Sequence, residues 1–169
     1  MKHLFLLMAM LWSTLSFAGP SWVTAPDDAA YLQRIDTPRP DVPSDWTVYE
    51  GPYTTVHASP DDAATALHLS RHVSTSLPRI AEEMGVPIGR SMDIYITPDQ
   101  DAFRNLQPGT PPSWADGTAW PTAGLIYLRS PTIRGGMASP LEQVLDHEIA
   151  HVLLGQAFGP RPSSTWAIS

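Results

Sequence analysis

Apolar positions along this chain repeat with two different periods, and the alternation between them outlines a fold. Ala66, Leu69, Val73, Leu77, Ile80 and Met84 fall within about 40° of one direction on a helical wheel, which predicts a long amphipathic helix. Ser59-Pro60-Asp61-Asp62 supplies a hydroxyl, a proline and acids at its start, and Gly85 supplies its stop. Tyr53 to His57 alternates weakly and is β-branched at Thr54, Thr55 and Val56, so it predicts a first strand. Met92, Ile94 and Ile96 alternate with Asp93, Tyr95 and Thr97, predicting a strand over Ser91 to Thr97. Thr97-Pro98-Asp99-Gln100 then starts a short helix carrying Phe103 and Leu106.

The C-terminal part has the same grammar. Trp114 to Trp120 and Leu125 to Arg129, separated by Pro121-Thr122-Ala123-Gly124, predict a hairpin that Pro131 to Ser139 links to a last helix. Ser139-Pro140-Leu141-Glu142 reads as a hydroxyl N-cap, a proline at the first helical position and a capping-box Glu. Strand, helix, strand, helix, hairpin, helix is the order of an α+β domain: a small mixed β-sheet with a long helix, a hairpin and a final helix.

Composition changes the picture at the N-terminus. Met1-Lys2-His3 is basic, Leu4 to Leu15 is apolar, and Ser16-Phe17-Ala18 ends in small residues, so residues 1–18 are expected to be a signal peptide cleaved after Ala18. The apolar run is short for a bilayer and no second one follows, so no membrane span is expected once it is removed. The chain has no Cys, which excludes a disulfide framework and an acylated cysteine, and a periplasmic or secreted location is expected. Residues 19–52 are dense in Pro and Asp, notably Pro38-Arg39-Pro40-Asp41-Val42-Pro43, and are expected to form a loosely packed leader without regular structure. Residues 53–169 remain as one domain. Net charge over the 169 residues is −7, and Lys2 is the only lysine, which disfavours nucleic acid and anionic membranes as partners.

The candidate chemistry sits in the last helix, where His147-Glu148-Ile149-Ala150-His151 forms an HExxH motif. At about 100° per residue, positions i and i+4 lie one above the other, so both imidazoles can ligate one metal ion and Glu148 falls beside it. A carboxylate there can take a proton from water acidified by the ion, which is the chemistry of a zinc hydrolase. Leu145, Ile149 and Val152 lie about 140 to 200° from His147, so one face anchors the core while the other presents the imidazoles between Val144 and Leu154. The plain alternative is two structural histidines on one helix face. His68 and His72 are also four apart, without an intervening Glu, and point off the buried face of their helix, where a solvated surface is expected. His57 and His3 carry no expected role.

Together these strings resemble the gluzincin metallopeptidases, most closely the peptidase MA-like families of exported bacterial proteins. The resemblance runs from Tyr53 to Ser169: a strand and long helix, Met92-Asp93-Ile94-Tyr95-Ile96 with a short helix, Trp114-Ala115-Asp116-Gly117-Thr118-Ala119, Gly124-Leu125-Ile126-Tyr127-Leu128, and Asp146-His147-Glu148-Ile149-Ala150-His151-Val152-Leu153-Leu154. It implies a zincin-like domain, Zn2+ on His147 and His151, Glu148 as general base, and a peptide or protein substrate lying along an edge strand of the hairpin, a role that falls to Tyr127 and its neighbours. The resemblance also implies a third zinc ligand, a Glu on a following helix. Thr165-Trp166-Ala167-Ile168 is similar to the stretch that carries it, yet no Asp, Glu or His follows His151, so a domain incomplete at its C-terminus is expected. Glu142 projects from the wrong side of its helix to substitute; Asp146 and Asp116 are the nearest candidates in sequence. The expected function is zinc-dependent peptide hydrolysis. A noncatalytic metal-stabilised or peptide-binding module, and a hydrolase of esters or cell-wall amides, remain open.

Overall fold

The computed structural model describes residues 37–136 and 138–159. The expected signal peptide, most of the leader and the Thr165-Trp166-Ala167-Ile168 stretch lie outside the described residues. What is described is the expected α+β arrangement, built on a five-stranded mixed sheet. Its strands are β1 (Thr47–Glu50), β2 (Thr54–Ala58), β3 (Met92–Thr97), β4 (Gly117–Trp120) and β5 (Leu125–Arg129), in the spatial order β1-β2-β3-β5-β4. Neighbours β2, β3 and β5 run parallel, and an antiparallel partner closes each edge, β1 on β2 and β4 on β5. The helices are α1 (Ala63–Met84), α2 (Gln100–Asn105) and α3 (Leu141–Phe158). A parallel pair needs a long crossover, and α1 supplies it between β2 and β3.

Strand alternation sends Val56, Ala58, Met92, Ile94, Ile96, Ile126 and Leu128 to one face of the sheet, where the apolar stripes of α1 and α3 cover them. Ala66, Leu69, Val73 and Leu77 from α1 meet Leu145, Ile149 and Val152 from α3 there, all at most 1% exposed. Each of the Val, Leu and Ile side chains contributes roughly 1.5–3 kcal/mol by leaving water. The other face carries Tyr95, Leu125 and Tyr127, covered by Phe103 of α2 together with Val42, Trp46 and Trp120. Register aligns His57, Tyr95 and Tyr127 across three strands, and their rings stack at 4.5 Å and 5.1 Å. Burial pushes both tyrosine hydroxyls well above the ordinary phenol range.

Three local expectations need correction. The leader is not irregular to its end: Thr47–Glu50 pairs with β2 as an edge strand, because Thr-Val-Tyr has the branched and aromatic content a pleated surface accepts. The last helix lacks a capping box. Pro140 is its N-cap and makes no side-chain cap bond, while the Ser139 carbonyl accepts from Arg134. Finally, the segment from Trp114 becomes strand only at Gly117, after a turn closed by Ala115 N–H donating to the Pro112 carbonyl. Among the described residues, no helix is long and apolar enough to cross a membrane.

Candidate metal centre

Hydrophobic anchoring fixes the rotational phase of α3, since Leu145, Ile149, Val152 and Leu153 are fully buried beneath it. With that face down, the i, i+4 spacing lifts His147 and His151 out of the core together. Their rings meet edge to face with centroids 4.6 Å apart, and the two Nε2 atoms lie 3.1 Å from each other. That separation admits a hydrogen bond between a donor and an acceptor ring. Imidazole nitrogens this close, both in the cleft, are donors of the kind that would hold one zinc ion between them. Burial, and then the neighbouring His147, hold the His151 pKa below the ordinary imidazole value, favouring the neutral ring that ligates metals.

Glu148 sits one residue along, 8% exposed, in the same cleft. Burial alone raises its carboxyl pKa to about 7. What covers it is β4. A side-chain carbon on Gly117 would lie 2.6 Å from Val144 Cγ1 and 3.1 Å from Glu148 Cγ, so glycine is what lets this strand settle on the helix beside the carboxylate. Further along, Gly155 makes the same allowance for Pro121, against whose ring a side-chain carbon would collide. Strand and helix thus run side by side in the same direction. The cleft along them has a volume of about 1060 Å³, with His147, Glu148 and His151 on the helix side and Asp116 to Ala119 on the strand side.

The strand that borders this cleft is β4, not the one expected to hold substrate. Tyr127 lies on β5, which is paired on both sides, and it is 0% exposed, so its main chain and ring are closed to a ligand. Of the two hairpin strands only β4, with β5 on one side, is an edge of the sheet. Gln107, on the loop after α2, holds β4 from behind. Its Oε1 accepts from Thr118 Oγ1 at 2.7 Å and from Trp120 Nε1 at 3.1 Å. Nothing in the local periodicity around Gln107 signals that tie.

The two acids nearest in sequence do not complete the centre. Asp146 faces α1, where its carboxylate meets His72 Nε2 at 2.8 Å and Arg79 Nη2 at 3.4 Å. Asp116 lines the cleft but is ion-paired at 3.1 Å with Arg134, whose side chain is 6% exposed and which also donates to the Ser139 carbonyl ahead of α3. Glu142 lies away from the cleft pair and bonds His68 at 2.6 Å. Among the described residues no third His, Cys, Asp or Glu joins His147 and His151 in a metal-sized group. His68 is exposed, as expected of a solvated helix surface, whereas His72 is half-buried, and each ring also meets an acid of α3 through its Nε2. No protein-family model matches this chain, and no curated protein matches it.

Proposed function

We propose that this chain is a zinc-dependent hydrolase of peptide bonds, with His147 and His151 as metal ligands and Glu148 as general base. The observation that carries the proposal is the 3.1 Å convergence of two imidazole nitrogens on the floor of a cleft that also holds a buried carboxylate and borders a free strand edge. When bound, zinc acidifies water and polarises a carbonyl without itself changing oxidation state. The edge of β4 offers N–H and C=O groups that pair with the main chain of an extended peptide whatever its sequence. Glu148 accepts one proton from the attacking water, whose oxygen bonds the scissile carbonyl carbon. The C–N bond breaks as Glu148 returns that proton to the departing amine nitrogen. Its cover of Gly117 and Val144 keeps bulk water off the carboxylate and strengthens its pull on the proton.

A second proposal, the noncatalytic metal-stabilised or peptide-binding module, is favoured by one observation: the described residues supply two ligand-type side chains where catalytic zinc ordinarily takes three. One pair of assays separates the two. Glu148→Gln should keep zinc, measured by metal analysis after dialysis, and lower peptide turnover by a factor of about 1000 or more. A wild-type chain that binds zinc and is stabilised by it, yet turns over no faster than Glu148→Gln, is a module. We further propose export through residues 1–18; N-terminal sequencing of the protein from intact cells should begin at Gly19.

A further inference from the structure

Two of the large apolar side chains exposed among the described residues lie in this one cleft: Trp114, 81% exposed, and Phe158, 55% exposed. Ligand clefts are lined mainly by hydrophobic and aromatic side chains, and these two rings are exposed where they can line one. Their positions are ordered by the strand and helix that form the cleft. Gly117 lies against Val144 and Glu148, and Pro121 lies against Gly155, so strand and helix run together from the reaction centre towards Phe158, while Trp114 sits on the turn that leads into the strand at its other end. At 1.5 Å per residue, Phe158 is about 15 Å beyond Glu148 along α3. Trp114 is three residues before Gly117, at most about 10 Å back along the strand side. The two rings therefore bracket up to about 25 Å, the length of roughly seven residues of extended chain.

We infer that the cleft takes an internal stretch of extended polypeptide, up to about seven residues long, with a large apolar side chain on each side of its centre, held by Trp114 at one end and Phe158 at the other. This rests on the proposed hydrolase for which bond lies at the centre, although the grip itself does not need the chemistry. Capture of a chain terminus would require a charged group at one end of the cleft free to meet an ammonium or a carboxylate. At the Trp114 end the nearby carboxylate, Asp116, is already neutralised by Arg134. At the other end the helix side presents Leu154, Gly155 and Phe158, and the strand side presents Pro121 and Thr122. Among the described residues, both ends of the cleft thus present side-chain surfaces and no free charge to meet a chain terminus, and on this inference the polypeptide runs through.

The test is binding, read by fluorescence anisotropy on the full chain carrying Glu148→Gln, so that turnover does not consume the probe. The probe is a fluorescein-labelled, end-blocked nonapeptide of alanine with Phe at its second and Leu at its eighth position. It should bind at least tenfold tighter than the same peptide with Ser at both positions. Trp114→Gln and Phe158→Gln should each weaken it at least threefold, whereas Trp114→Phe should restore most of the loss, with circular dichroism unchanged throughout. Equal binding of the Phe/Leu and Ser peptides overturns the inference. So does indifference to both Gln substitutions, or tighter binding of a peptide with a free amine than of the blocked one. Zinc content and wild-type turnover are read separately. If Glu148→Gln leaves turnover unchanged, the hydrolase proposal fails while the anisotropy series still decides the grip.

Discussion

Two pairs of histidines share the same spacing in this molecule and have opposite surroundings. His68 and His72 lie four apart on α1, His147 and His151 four apart on α3, and in both helices the apolar stripe turns the rings off the core. On α1 each ring meets an acid from the neighbouring helix. His68 reaches Glu142 and His72 reaches Asp146, and because those acids are also four apart, the two contacts form rungs between parallel helices about 6 Å apart along the axis. On α3 the rings meet each other over an open cleft with Glu148 beside them. Helical spacing makes a pair of rings. What stands opposite decides whether the pair becomes a structural clasp or a candidate metal centre.

The comparison breaks most visibly if the pairs are exchanged in a zinc titration. His151→Ala should weaken zinc binding by about 100-fold or more, measured against a competing chelator, because one of two imidazole ligands is gone. His72→Ala should leave zinc affinity within about threefold, its ring being committed to another helix. If His72→Ala costs as much zinc as His151→Ala, the assignment of roles to the pairs is wrong.

A smaller effect is expected where the strand meets the helix through an absent side chain. Gly117→Ala forces a carbon to within 2.6 Å of Val144 Cγ1 and 3.1 Å of both Glu148 Cγ and Leu128 Cδ2. Overpacking of this kind costs about 1–3 kcal/mol, read by urea unfolding. Turnover should fall as well, since β4 must lift away from Glu148. Unchanged stability and turnover would mean that the close approach does not matter. Smaller still is the clasp itself. His72→Ala should lower stability by about 0.5–1 kcal/mol, the side chains of both partners being roughly one quarter exposed and Arg79 remaining near Asp146. A loss beyond about 3 kcal/mol would make the clasp part of the core.

What was legible in the sequence follows the same division between local direction and opposing surface. The apolar repeat from Ala66 to Met84 and the alternation at Met92 to Thr97 are local, and both elements form over those residues. The phase of α3 is local too, so the outward projection of His147 and His151 was readable from Leu145, Ile149 and Val152. What faces those side chains is not local. The acids opposite His68 and His72 lie 74 residues away in each case, and no periodicity links them. Strand order is equally remote: the hairpin was readable, but only the parallel pairing of β5 with β3 makes β4 the edge and closes Tyr127 off. Thr47–Glu50 is a different kind of miss. It is four residues long and half exposed at a sheet edge, so its pattern is too short to stand out after a proline-rich approach.

The finest distinction within the clasp is its pH dependence. The Glu142 carboxyl is held below the ordinary carboxylate value first by its own backbone N–H, free at the start of α3, and then by the His68 ring. An acid whose pKa is lower folded than unfolded adds stability that is complete above its unfolded value and disappears as pH falls through the folded one. Glu142→Gln should therefore reduce stability at pH 6 by a small amount, since His68 is 62% exposed and solvent screens the pair. The difference from wild type should shrink to nothing as pH is taken below the ordinary carboxylate range, in parallel urea titrations. A difference that stays constant down to pH 3 would show that the contact is held by shape alone, with no contribution from the charge on Glu142.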